Sequence, residues 1–292
     1  TFYTSASYME AAESEKVVRV QPGADGSITT HLIGPYSPKA KADAEFTISL
    51  HPEPGAGRAL LRSGGQPASL ELRLGEWSDW LHVKFKVGAL QSVRGMVRFL
   101  LVRLAPYMEL YASPINFEAE APLFPISFPG EYAGELAARV GPYHTIGMAE
   151  DYEGLLNGRF DETAFLKQCE GVIRERSRML VYELERFDQG LLFCLFDTPD
   201  RVQHMFWRFR EPSHPANRGN PPAGMERVIE DHYRVCDKVI GKVLEYIDPE
   251  TLLIVLSDHG MSSFRRGLDL NTWLYRQGWL ALEKGCAPGE DT

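Results

Sequence analysis

The sequence predicts an α/β protein in which a β-rich unit precedes a parallel sheet flanked by helices. Three observations predict it. Segments of period-two hydrophobicity fill residues 1 to about 110; from about 130 onward helical periodicity alternates with short, fully apolar runs; and each of those two runs ends in a pair of acidic and imidazole side chains.

In the β-rich part, 16–20, 46–50, 69–74 and 81–87 alternate apolar with polar residues, as strands with one buried face do. Gly and Pro clusters at 21–23, 52–57 and 64–67 punctuate them. Residues 94–104 are rich in Val, Phe and Leu and read as strand. Short strands at this spacing predict a small sandwich or barrel-like sheet.

The second part changes period. Residues 161–186 place Phe165, Val172, Ile173, Met179, Leu180 and Leu184 at helical spacing. The apolar run 190–196 follows, then a helix over about 225–247, then a second apolar run at 251–256. Helix, apolar run, helix, apolar run predicts buried parallel strands with helices on the sheet faces. Between them, 211–224 reads as an irregular loop.

Composition narrows the function. Of 292 residues, 44% are hydrophobic and 24% charged, enough apolar residue to bury a core of ordinary size. The formal net charge is −9 with no basic block, which argues against nucleic acid as a partner. No run has the length and apolarity of a membrane span, and no signal peptide opens the chain. Cys169, Cys194, Cys236 and Cys286 form no CxxC pair, and two of them sit in apolar or helical runs, which predicts buried free thiols, so a reducing, cytoplasmic setting is expected. The chain starts at Thr1 and stops soon after a strand-like segment, and reads as a piece of a longer polypeptide.

Ligands gather at the carboxyl ends of strands in open α/β sheets. After the first apolar run come Asp200 and His204, four apart and on one face if a helix opens there. After the second come Asp258 and His259, adjacent on a turn. Carboxylate with imidazole suits Zn²⁺ and also Mn²⁺. A single Asp-x-x-x-His is common, and Asp258 alone reads equally as a helix cap; two such pairs at the ends of two consecutive apolar runs are hard to ascribe to solubility.

The runs 196–207 (FDTPDRVQHMFW) and 257–274 (SDHGMSSFRRGLDLNTWL) resemble those of type I phosphodiesterases/nucleotide pyrophosphatases of the alkaline phosphatase superfamily, in the group of predicted phosphohydrolases and phosphomutases. So do 75–80 (GEWSDW), 113–116 (SPIN), 125–129 (PISFP) and 143–151 (YHTIGMAED), in the family's order. The resemblance implies a partial alkaline phosphatase-like core over 111–292, with residues 1–110 as a β-rich insertion. It also implies two divalent ions, Zn²⁺ or Mn²⁺, about 4 Å apart, one on Asp200 and His204 and the other on Asp258 and His259. The implied substrate is a small-molecule phosphate ester. The family further uses an upstream Asp, a Thr or Ser nucleophile at a helix N-terminus and a downstream His. None of the three matches a position here: Thr4, Ser5 and Ser7 lack the nucleophile motif, as do Ser262 and Ser263. The chain is therefore expected to be a fragment without its nucleophile and a poor catalyst alone. A sulfatase-like or mutase relative, and a non-catalytic metal-containing binding protein, are the alternatives.

Other residues stay open at this level. Arg265 and Arg266 follow the Asp-His pair closely enough to reach a phosphate, or they lie on a solvated turn. His144 and Asp151 line a pocket mouth or are satisfied loop residues. Trp77 and Trp80 fit core packing better than a ligand-stacking platform, and Asp237 reads as a solvated or capping helix residue.

Overall fold

The computed structural model describes residues 1–6, 17–38, 40–63, 69–88, 91–217, 222–283 and 287. Ser7, Cys286 and the Gly/Pro cluster at 64–67 lie outside the described residues. The chain divides into two units, 1–198 and 199–292.

The first unit begins with eleven described strands: β1 (Phe2–Thr4), β2 (Val17–Arg19), β3 (Ile28–Ser37), β4 (Ala42–Glu53), β5 (Arg58–Ser63), β6 (Ser69–Arg73), β7 (Leu81–Lys86), β8 (Ser92–Val97), β9 (Phe99–Arg103), β10 (Glu109–Ala112) and β11 (Asn116–Phe117). They form three sheets, ordered β2-β1-β10-β9, β11-β8-β7 and β3-β4-β5-β6. All ladders are antiparallel except β1 with β2. Alternation does what the sequence predicts: Leu81, Val83 and Phe85 turn inward from β7 while His82, Lys84 and Lys86 face water. Ile28, Ile48, Leu50, Leu61, Val97, Phe99 and Leu101 fill one continuous core. The sheets pack tightly at Gly34, where a Cβ would lie 2.3 Å from the Phe85 ring, so only glycine fits. The expected strand over 94–104 is two strands, β8 and β9, broken at Arg98. Sheet elements continue to Phe117.

Helices follow: α1 (Tyr132–Val140), α2 (Tyr152–Leu156) and α3 (Glu162–Leu184). Asp161 caps α3, its carboxylate accepting from the Ala164 amide at 2.9 Å. Phe165, Val172, Ile173 and Leu180 form the buried stripe. The β-rich part grips the start of α3 through Trp77, whose indole N–H donates to the Ala164 carbonyl at 2.9 Å. The Trp77 ring meets Tyr111 and Phe160 edge-on, and Trp80 meets His144. Both indoles are packing elements.

The helix α4 (Thr198–Phe206) opens at the boundary of the two units, and α5 (Val228–Leu244) and α6 (Leu270–Arg276) lie in the second. Asp269 caps α6 through the Thr272 amide at 2.6 Å. No helix among the described residues is long and apolar enough to cross a membrane.

One expectation needs correction. The runs 190–196 and 251–256 are not buried strands: neither joins a ladder among the described residues. Most of their side chains face solvent, with Leu191 90% and Leu252 81% exposed, while Leu192 and Phe196 are half-buried. Apolar, β-branched composition makes a segment fit for a sheet, but a strand exists only where a neighbour takes its N–H and C=O groups. Cys194, within the first run, is accordingly exposed rather than buried, whereas Cys169 is buried in α3; these two and Cys236 are free thiols.

Candidate metal centre

Helix α4 starts where backbone amides lack intrahelical acceptors, and Pro199, second in the helix, has no amide to leave unpaired. Thr198 opens the helix, and its buried hydroxyl donates to the buried Glu150 carboxylate. Two residues on stands Asp200, and one turn later His204, on the same face as the spacing predicts. His204 Nε2 lies 3.3 Å from Asp200 Oδ1. The other carboxylate oxygen, Oδ2, accepts from the Arg201 guanidinium.

Asp258 and His259 sit in the irregular segment after 251–256, so Asp258 caps no helix. His259 turns toward α4, with Nε2 3.7 Å from Asp200 Oδ1. Its Nδ1–H donates to the Gly260 carbonyl at 3.0 Å. That bond assigns the proton of the neutral ring to Nδ1 and leaves the Nε2 lone pair facing Asp200. The Gly260 carbonyl, then the carboxylates of Asp258 and Asp200, push the His259 imidazole above its ordinary pKa. The Asp258 carboxylate accepts from the His259 amide at 3.1 Å and is 88% exposed. Ser257 steadies this turn, donating to the His259 carbonyl at 2.6 Å.

Asp200 Oδ1 is buried, yet neither imidazole nor any other described donor reaches it in hydrogen-bond geometry. An ionised oxygen left so costs several kcal/mol unless a cation compensates it. One carboxylate and two imidazoles form a donor set suited to Zn²⁺ or Mn²⁺. Among the described residues no group of three or more His, Cys, Asp or Glu side chains is arranged to hold a metal ion. Asp200, His204 and His259 are near one another, but ligation requires side-chain rotation.

The remaining candidates disperse. Arg265 is taken by Glu211, whose carboxylate it lowers in pKa through their hydrogen bond. Arg266 is exposed. His144 is buried, its Nδ1 2.7 Å from Glu175 Oε2. Asp151 caps α2 and accepts from the Tyr111 hydroxyl; burial first, and then Asp151, push the Tyr111 pKa up. Asp237 is exposed on α5. Thr4 is buried and accepts from the Ala6 amide, while Ser5 accepts from the Met108 amide at 2.8 Å. Sequence reasoning missed the groups that surround the centre within the second unit, namely Arg201, Glu211 and His214. Their partners lie at separations that carry no periodic signal, and only Arg201, beside Asp200, was open to inspection.

A family model for type I phosphodiesterase / nucleotide pyrophosphatase matches residues 125–287, more than half of the chain and the span that holds all four candidate ligands. No curated protein and no solved structure matches the chain. The chain belongs to the type I phosphodiesterase/nucleotide pyrophosphatase family, of the alkaline phosphatase superfamily.

Proposed function

We propose that the chain contributes the metal-ligating part of a phosphoester hydrolase that acts on a small-molecule phosphate ester. The observation that carries this reading is the buried, unbonded Asp200 Oδ1 with His204 and His259 imidazoles 3.3 and 3.7 Å away. Asp200 and His204 hold one divalent ion and Asp258 and His259 a second, Zn²⁺ or Mn²⁺ in each case. Such ions supply Lewis-acid polarisation of the phosphoryl oxygens and charge for the leaving group. The chain's own residues do the rest: Arg201 holds Asp200 Oδ2 so that Oδ1 stays turned to the imidazoles, and Gly260 fixes the His259 tautomer.

The nucleophile is assigned to polypeptide outside residues 1–292. Thr4 and Ser5 are occupied by backbone amides, and Ser262 and Ser263 stand on no helix N-terminus. The alkaline phosphatase-like core belongs to 111–292, with 1–110 as the β-rich insertion. In it, the exposed apolar runs 190–196 and 251–256 would each gain a neighbouring strand, which accounts for side chains otherwise costly to leave in water. The free thiols suit a reducing compartment.

The test is a phosphate mono- and diester assay with Zn²⁺ or Mn²⁺, on the 292-residue chain and on a longer natural polypeptide containing it. Turnover in the longer protein only, abolished by chelator and by Asp258→Ala, is expected. Metal binding without turnover in either would replace this reading with the non-catalytic one, and robust Asp258-dependent turnover by the 292-residue chain would remove the assignment of the nucleophile.

A further inference from the structure

The two candidate ligand pairs are distant in sequence, and something must hold them in one frame. Helix α4, which carries Asp200 and His204, continues through a 3₁₀ turn at Trp207–Arg210 into residues 211–217. That segment is closed on itself. The His214 amide donates to the Glu211 carbonyl at 2.9 Å and the Asn217 amide to the His214 carbonyl at 3.0 Å. The Asn217 side-chain amide donates to the carbonyls of Arg208 and Glu211, each at 3.0 Å, and the Arg208 guanidinium donates to the Ala216 carbonyl at 3.1 Å. It forms a stiff bracket on the end of the α4 run.

Two side chains of the bracket reach the segment that follows His259. His214 is buried, accepts from the Ala216 amide at Nδ1 (3.2 Å), and so carries its neutral-state proton on Nε2, which donates to the Phe264 carbonyl at 2.8 Å. Beside it the Glu211 carboxylate takes the Arg265 guanidinium. Residues 264 and 265 are thereby tied to the same frame as Asp200 and His204, only five and six positions after His259. Between these ties and Asp258 the chain has no helix or strand to hold it.

The geometry points to His214 and Glu211 as positioning residues that bring the Asp258–His259 turn to the Asp200–His204 face. The inference rests on the metal-site reading above for its consequence, though not for the anchoring itself. His214 acts through a carbonyl rather than by touching an ion, as outer-shell groups do; losing such a group costs about 10- to 100-fold in metal affinity. Glu211 has a second effect: it engages the Arg265 guanidinium, although both arginines of the pair are exposed to solvent.

The test uses His214→Leu, which removes donor and acceptor at similar volume, and His214→Gln, whose amide can give to Phe264 and accept from Ala216. Glu211→Gln is the third variant. Trypsin cleavage after Arg265 and Arg266 in metal-free protein reads the anchoring directly, and Zn²⁺ titration reads its consequence. His214→Leu should speed that cleavage about tenfold with other sites unchanged, and weaken Zn²⁺ binding about tenfold. His214→Gln should restore both to near the unsubstituted values, and Glu211→Gln should fall between. Unchanged cleavage in His214→Leu, or faster cleavage with unaltered Zn²⁺ affinity, overturns the positioning role. If the unsubstituted chain binds no Zn²⁺, the metal-site reading fails, while cleavage still decides whether the bracket anchors the turn.

Discussion

Glu175 on α3 is the residue whose loss the first unit should tolerate least. Its Oε2 lies 2.7 Å from His144 Nδ1 and accepts from the His144 amide at 3.2 Å, with side-chain exposures of 9% and 4%. Behind the imidazole stands Trp80, and over Trp80 the Arg98 guanidinium, whose pKa burial lowers and Glu175 raises. Glu175→Ala removes two hydrogen bonds to one ionised oxygen, at about 1.5–3 kcal/mol each. It also takes one favourable charge from the Arg98 guanidinium. Glu175→Gln keeps an acceptor oxygen in the same place and should cost about 1–2 kcal/mol. Urea unfolding followed by Trp77 and Trp80 emission, with Trp207, Trp273 and Trp279 replaced by Phe, isolates the first unit. A loss below about 1 kcal/mol for Glu175→Ala, or equal losses for Ala and Gln, would refute the reasoning.

Burial holds His232 on α5 at a pKa of about 4 against the ordinary 6.5, and its Nε2 has no hydrogen-bond partner. The neutral ring is favoured in the fold, so its contribution is complete above pH 6.5 and lost as pH falls toward 4. Between pH 6.5 and 5 the protein should lose up to about 2 kcal/mol more than His232→Leu does, measured by urea unfolding at both pH values; identical pH slopes would contradict this. Asp161→Ala removes the α3 cap and should cost about 1 kcal/mol, with Asp161→Ser recovering most of it in the same assay. Leu252→Thr with Ile254→Thr should raise the solubility limit at unchanged melting temperature, because both side chains are exposed; a lower melting temperature would show them buried in solution.

The β-rich part was legible because its period is local: each of 46–50, 69–74 and 81–87 alternates along a strand with one face in the core. Five strands were missed: β1, β10 and β11 are two to four residues long, too short for a period to register, while in β3 the Gly34-Pro35 pair and in β5 the adjacent Leu60 and Leu61 blur the alternation. α3 was legible because its apolar stripe is regular over 161–186, and Asp161, where that spacing begins, proves to be its cap. The runs 190–196 and 251–256 failed because apolar composition reports what a segment is suited to pair with, while pairing itself belongs to the neighbour. In the candidate centre, the i, i+4 relation of Asp200 and His204 follows from helix geometry alone. The approach of His259 to Asp200 does not, because it depends on the bracket 211–217 and on a loop with no periodicity.

Asp200, His204, Asp258 and His259 are proposed to hold divalent metal. X-ray absorption at the zinc edge of the Zn²⁺-loaded chain, beside His204→Ala and His259→Ala, tests that assignment most directly. The spectrum should show a nitrogen and oxygen shell at about 2.0–2.1 Å with imidazole scattering that diminishes in each variant. A shell containing sulfur at about 2.3 Å, or a spectrum unchanged by both substitutions, would contradict the assignment.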